Sequence, residues 1–176
     1  HDRAILFLGQ IRPYKGIDLL LRAANEARSS DGGRPVLLLA GSASPESIAQ
    51  FDDLKPAGLR VVTSFESVPD DDVARWYRAA DVAVFPYRAI LNSGSLHLAA
   101  TMGVPAVLPG LAHLREQFAD QPWVSFFDTQ DSARSLAGLL SEDELFRGVS
   151  PAHFEKFNEG ISPWTVSLAY RDALRS

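Results

Sequence analysis

Two basic residues, Arg12 and Lys15, share the short stretch Gly9-Gln10-Ile11-Arg12-Pro13-Tyr14-Lys15-Gly16. A guanidinium supplies a fork of donors and an ammonium a point charge, a combination suited to the oxygens of a diphosphate. Such a pair alone is usually no more than solvated loop charge. A second stretch raises its weight. Asn92-Ser93-Gly94-Ser95 offers helix-capping side chains and a glycine that lets a ligand approach the backbone. A helix opening there presents unpaired N–H groups and the positive end of its dipole, a ready site for phosphate. Each helix end contributes ~0.3–1 kcal/mol toward an anion, so two helix ends and two cations together suit a nucleotide diphosphate.

Other chemistry is less well supported. Asp70-Asp71-Asp72 has the look of a metal-binding acidic run, but it opens an amphipathic segment. Asp70 as helix cap, with Asp71 and Asp72 facing the dipole, is the stronger reading. His97 has no partner at metal-ligand spacing, and His113 stands beside Arg115 and Glu116, so structural or surface roles fit both. Ser93 and Ser95 read as capping and phosphate-contacting hydroxyls, since no Gly-x-Ser-x-Gly elbow surrounds them. Neither a Gly-x-Gly-x-x-Gly fingerprint nor a P-loop follows the first apolar run. Trp76, Trp123 and Trp164 read as core or interface residues.

These groups need elements to hold them. Near-continuous apolar runs predict buried parallel strands at 4–8, 36–40, 59–62, 82–85, 104–108 and 124–127. Helical periodicity predicts helices over 17–28, 45–54, from 69 to 80, from 95 to 102, over 111–118 and over 131–140. The chain after Ser141 reads as less regular helix. A last helix opens at Ser162-Pro163-Trp164, with serine as cap and proline in the first turn. Strands alternating with helices give an α/β, Rossmann-like, three-layer fold: a parallel sheet with helices on both faces. Ligands in such sheets bind at the carboxyl ends of the strands. The loops 9–16, after Val62, and 87–95 should gather there.

Length and composition narrow the class. The 176 residues suffice for one domain with a substantial core. An apolar share of 46% and a charged share of 22% describe a soluble globular chain. The formal net charge is -5 and the basic residues are scattered, which argues against nucleic acid and against a polybasic membrane patch. There are no cysteines, so disulfides, thiolate catalysis and cysteine-bound metal are excluded. No stretch has the length of a membrane span. A strand beginning two residues after His1 suggests a piece of a longer protein with a domain boundary just upstream.

Four patterns, in order, resemble the C-terminal donor-binding domain of family 4 glycosyltransferases, the retaining enzymes of GT-B fold. FLGQIRPYKGIDLLLRA resembles its strand, phosphate loop and helix. LRVVTSFESVPDDDVARWYRAADVAVFPY resembles the next strand–helix–strand unit, and NSGSLHLAATMGVPAVLPG the donor-site helix. SPWTVSLAYRDAL resembles the terminal helix that crosses back to the other domain. The resemblance implies a nucleotide-sugar-binding domain over 1–160 and a crossing helix over 161–176. It implies a glycosyltransferase of polysaccharide or glycoconjugate biosynthesis that moves a hexose from a nucleotide-diphosphate sugar with retention. Arg12 and Lys15 would contact the diphosphate and act in catalysis. Gly9 would let the loop approach, and Ser93, Gly94 and Ser95 would bind phosphate. Ser64, Phe65 and Glu66 would lie near the base, with Tyr87, Asn92 and Leu98 as further base or sugar contacts. No metal or other cofactor is expected.

The family pattern is not complete. Gln10 stands where many members have arginine, and Arg12 is the expected substitute. A glutamate pair of many members falls on Ile90 and Leu98 here, or on Leu91 with a one-residue gap, all apolar. Asn92 is a candidate replacement for the lost sugar contact. The expected partners are a nucleotide sugar, an absent N-terminal acceptor domain, and a sugar or lipid-linked acceptor. The expected location is cytoplasmic, with any membrane contact made through the absent half. This piece alone would bind nucleotide weakly and transfer nothing. Two other classes stay open: a non-catalytic nucleotide-sugar-binding or interaction module, which loss of both glutamates would fit, and a sugar-nucleotide epimerase, for which no convincing acid–base set is present.

Overall fold

The computed structural model describes residues 3–88, 94–147 and 149–161. Six strands form one sheet: β1 (Ala4–Leu8), β2 (Val36–Ala40), β3 (Val61–Ser64), β4 (Val82–Val84), β5 (Ala106–Pro109) and β6 (Val124–Phe127). Their order is β3-β2-β1-β4-β5-β6, and every pairing is parallel. The order reverses between β1 and β4, which opens a crevice beyond their carboxyl ends. The helices are α1 (Ile17–Glu26), α2 (Pro45–Leu54), α3 (Asp70–Arg78), α4 (Gly94–Thr101), α5 (Ala112–Phe118), α6 (Ser132–Ser141) and α7 (Pro151–Gly160). They cover both faces, with α1 packed on α2 and α6, and α4 packed on α7. This is the expected Rossmann-like α/β architecture.

The interior strands explain themselves. Every residue of β2, β4 and β5 is buried, because a parallel strand covered on both faces has no wet side. The edge strand β3 is only half-buried, and Val62 is exposed. Leu20, Leu21, Ala23 and Ala24 carry the buried stripe of α1, and Leu136 and Leu140 that of α6. Trp123 is buried, with Phe154 at 5.7 Å and Phe157 at 4.9 Å between ring centroids, which seats α7. Trp76 is a partly buried residue packed against the core, whereas Trp164 and the predicted terminal helix lie outside the described residues.

Several boundaries differ from the sequence reading. α1 ends at Glu26 rather than at 28, since Ala27 turns to extended backbone. β3 starts at Val61 rather than 59, because the Leu59 N–H closes a turn onto the Pro56 carbonyl, and it runs on to Ser64 opposite Ala40. β5 begins at Ala106, since the Val104 N–H goes back to Ala99 and finishes α4. Asp70 does not cap α3. Pro69 occupies the cap with extended backbone and makes no side-chain bond, so Asp70 is already helical and acts only on the dipole. After Ser141 the chain forms a 3-10 turn, Asp143–Phe146, and then α7.

One glycine is fixed by packing as well as by conformation. Gly16 ends the 3-10 turn Pro13–Lys15 and caps α1 with φ 71°. A Cβ built there would lie 2.0 Å from the Pro86 carbonyl oxygen, so the turn and the end of β4 touch backbone to backbone. Gly32 also has a positive φ, 83°, with nothing described within 4 Å of a Cβ. Gly32→Ala should therefore cost only the left-handed penalty of about 1–2 kcal/mol. Gly16→Ala should cost roughly 3–4 kcal/mol, because the overlap forces a backbone shift as well. Urea unfolding of the two variants checks the difference.

Candidate functional site

The loops after the first three strands are joined main chain to main chain. The Gly9 N–H donates to the Ala40 carbonyl, Ile11 N–H to Ser42, Gly41 N–H to Ser64 and Ala43 N–H to Phe65, all at 2.9–3.2 Å. Ile11 and Ala43 form a parallel bridge beyond the strand ends. Gly41 has to be small, because a Cβ there would lie 2.2 Å from the Gly9 carbonyl oxygen. The loop after β4 joins the same group: the Arg88 N–H donates to the Tyr14 carbonyl at 3.0 Å, and the Arg88 guanidinium pairs with Asp18 of α1 at 2.5 Å.

At the mouth of this group, Gly9 faces two polar side chains. A Cβ at Gly9 would lie 3.3 Å from Lys15 Nζ and 3.7 Å from Ser95 Oγ, with no other described atom within 4 Å. Lys15 reaches this point from the 3-10 turn, and Ser95 from the first turn of α4. The Lys15 ammonium is half-buried and rests 5.0 Å from the centroid of the Tyr87 ring. Burial lowers its pKa, and the neighbouring Arg12 charge lowers it further.

The remaining predicted residues fall into three groups. Arg12 is exposed, donates from Nε to Gln10 Oε1 at 3.1 Å, and lines two grooves shared with Asp18 and Phe51 of α1 and α2 and with Tyr14 and Ser44. It reaches Lys15 through charge, but it is not at the Gly9 contact. Ser64 and Phe65 lend their carbonyls to the loop ties, Phe65 packs edge-on against Phe51 at 5.2 Å, and Glu66 is exposed. Tyr87 is 6% exposed, edge-on to Phe7 and Phe85, so it forms the floor beneath Lys15. Leu98 is partly buried against the core. Gly94 opens α4 in ordinary helical backbone with no described atom within 4 Å of a Cβ. Ser93, Asn92, Ile90 and Leu91 lie outside the described residues. His97 stacks on Phe157 at 6.0 Å, and His113 is exposed on α5.

Periodicity missed two contributors. Tyr77 appears in the sequence only as part of the apolar stripe of α3, yet its hydroxyl donates to the Ser95 carbonyl at 2.8 Å. The Asp18–Arg88 pair spans 70 residues and leaves no local signal. The only hints were a hydroxyl in an otherwise apolar stripe and an acid in a first turn.

Fold and crevice together define a Rossmann-like α/β domain. The family described as "Glycosyl transferases group 1" matches residues 2–142, and the chain belongs to that family. A D-inositol 3-phosphate glycosyltransferase from Segniliparus rotundus is 32% identical over a 191-residue alignment, covering 99% of this chain and 41% of the relative. A GDP-mannose:glycolipid 4-beta-D-mannosyltransferase from Xanthomonas campestris pv. campestris is 26% identical over 141 residues, covering 78% of this chain and 40% of the relative. Among solved structures, sucrose-phosphate synthase from Thermosynechococcus elongatus shares the fold with a TM-score of 0.71 at 20% identity, covering 99% of this chain and 45% of the other. The chain thus spans about two fifths of the length of these curated relatives. Among the described residues, no helix is long and apolar enough to cross a membrane.

The lowered pKa of Lys15 sets a sign. The unfolded chain binds more protons than the folded one between the lowered value and the ordinary lysine value, so this group's contribution to stability rises with pH across that interval. Arg12→Ala removes the second cause and leaves the first. Lys15 should then titrate higher, though still below an ordinary lysine, as read by NMR of its side chain between about pH 8 and 11.

Proposed function

We propose that this chain is the donor-binding part of a retaining glycosyltransferase that takes a sugar from a nucleotide-diphosphate sugar. The observation that carries the reading is the meeting of the Lys15 ammonium and the Ser95 hydroxyl over Gly9, at the crevice between β1 and β4. A half-buried cation without a described carboxylate partner, next to a helix start, is complementary to a diphosphate. The name of the Xanthomonas relative, which uses GDP-mannose and a glycolipid, supports a nucleotide-sugar donor and a lipid-linked acceptor.

In this reading Lys15 and the amides at the start of α4 take up the charge that grows on the departing diphosphate as the glycosidic bond breaks. Arg12 acts from the rim and raises the local positive potential. Gly9 keeps the floor free of a side chain. Ser93, Gly94 and Ser95 supply the helix-end donors, and Ser64, Phe65 and Glu66 flank the base. Asn92 stands in for the missing sugar contact. Metal has no part in the proposal, and the acceptor sits on an N-terminal domain carried by the whole protein. A second reading, a module that binds donor without transferring it, is favoured by Leu98, an apolar residue packed on the core at a position where many family members carry a glutamate.

Calorimetry with UDP and GDP tests the first step. The chain should bind one of them, and Lys15→Ala should weaken binding about tenfold or more, as expected for a charge-assisted bond. Arg12→Ala should weaken it less. No binding at millimolar nucleotide, or binding indifferent to Lys15, defeats the proposal. For the full-length protein with donor and acceptor, NMR of the product should show a new glycosidic bond with the donor's anomeric configuration, formed equally well with a chelator present. Donor binding without any transfer selects the second reading.

A further inference from the structure

Tyr77 is the fully buried side chain of α3; it is 1% exposed and still carries a hydroxyl. A buried phenol has to find an acceptor, and many carbonyls would satisfy it. Here the acceptor is the carbonyl of Ser95, 2.8 Å away and 18 residues along the chain. Ser95 is the second residue of α4, and its own Oγ lies 3.7 Å from the Cβ position of Gly9. A helical carbonyl has two lone pairs, so it can accept the phenol without giving up its bond within the helix. Burial raises the Tyr77 pKa well above the tyrosine range, and the Tyr87 phenol adds to this, so the hydroxyl remains a donor at any working pH.

We infer that Tyr77 is a positioning residue: its hydroxyl holds the first turn of α4 where that turn meets Lys15 over Gly9. The inference rests on the donor-diphosphate reading above. Field and donors at a helix start act only within the first turn, so a small tilt there matters to an anion while leaving the core intact. The far end of α4 has a matching tie, from Asn158 Nδ2 of α7 to the Ala100 carbonyl at 3.2 Å. Both ties are single bonds to a carbonyl of the same helix, but only one is at the crevice.

The test pairs Tyr77→Phe with Asn158→Ala in the 176-residue chain, using UDP, GDP and inorganic pyrophosphate as probes in calorimetry and urea unfolding as the control. Tyr77→Phe should weaken binding of pyrophosphate and of the preferred nucleotide about five- to tenfold, while Asn158→Ala leaves both within about twofold. Amide chemical shifts of Gly94 to Leu96 should move in Tyr77→Phe before any ligand is added, which keeps the inference testable if that variant is less stable. Equal losses in the two variants, or unchanged affinity in a folded Tyr77→Phe, overturn the inference alone. Failure of the unsubstituted chain to bind any probe overturns the donor reading and this inference with it.

Discussion

The structure around the crevice depends on hydrogen bonding that continues past the ends of the strands. The bonds from Gly9 to Ala40, Ile11 to Ser42, Gly41 to Ser64 and Ala43 to Phe65 extend the parallel ladder into what would otherwise be three separate loops. Backbones can approach this closely only where side chains are missing, as the Gly9–Gly41 contact requires. The turn that carries Lys15 is thus built on the sheet itself. It is also braced from the other side, where Gly16 meets Pro86 and Tyr14 accepts from Arg88. A group mounted on such a scaffold holds its position better than one on a free loop.

Charge follows from that scaffold. Asp18 is the carboxylate nearest to Lys15 in sequence, and it is occupied by Arg88 at 2.5 Å. Among the described residues no acid pairs with Lys15, and its ammonium rests instead on the face of Tyr87. Burying a cation without a counter-charge is unfavourable, which is why its pKa falls. An anion that enters the crevice removes that penalty as well as adding its own attraction. The aromatic floor serves both conditions: it stabilises the cation modestly when the crevice is open and does not compete with an anion from above.

Much of this architecture was legible in the sequence because burial on both faces leaves nearly continuous apolar runs, as in Val36–Ala40. Alternation with amphipathic helices then leaves few topologies. Lys15, Gly9 and Ser95 were legible because loop chemistry at the carboxyl ends of strands is local. What the sequence hid is non-local. Periodicity assigns Tyr77 to a face of α3 but cannot say which carbonyl its hydroxyl meets. It gives Arg12 and Lys15 equal standing, although packing half-buries one and leaves the other on the rim. Sequence pattern puts Asp70 at the cap of α3, but Pro69, with its fixed φ, suits the turn into the helix and displaces Asp70 inward by one residue.

The uneven distribution of polar groups bears on where selectivity would come from. Polar contacts in the crevice gather at Gly9, Lys15 and Ser95, while Leu98, one turn further along α4, is partly buried against the core. Under the proposed reading the diphosphate is the part of the donor this chain grips, and α4 offers no carboxylate at Leu98 to hold the rest. A diphosphate is common to every nucleotide-diphosphate sugar, so gripping it gives affinity without choice among them. Discrimination among donors must then arise at the base, near Ser64 to Glu66, or at the sugar, from groups supplied across the cleft. Backbone at the first of these positions is already engaged, since the Ser64 and Phe65 carbonyls accept from Gly41 and Ala43. Base selection on this chain would accordingly fall to the exposed Glu66 side chain.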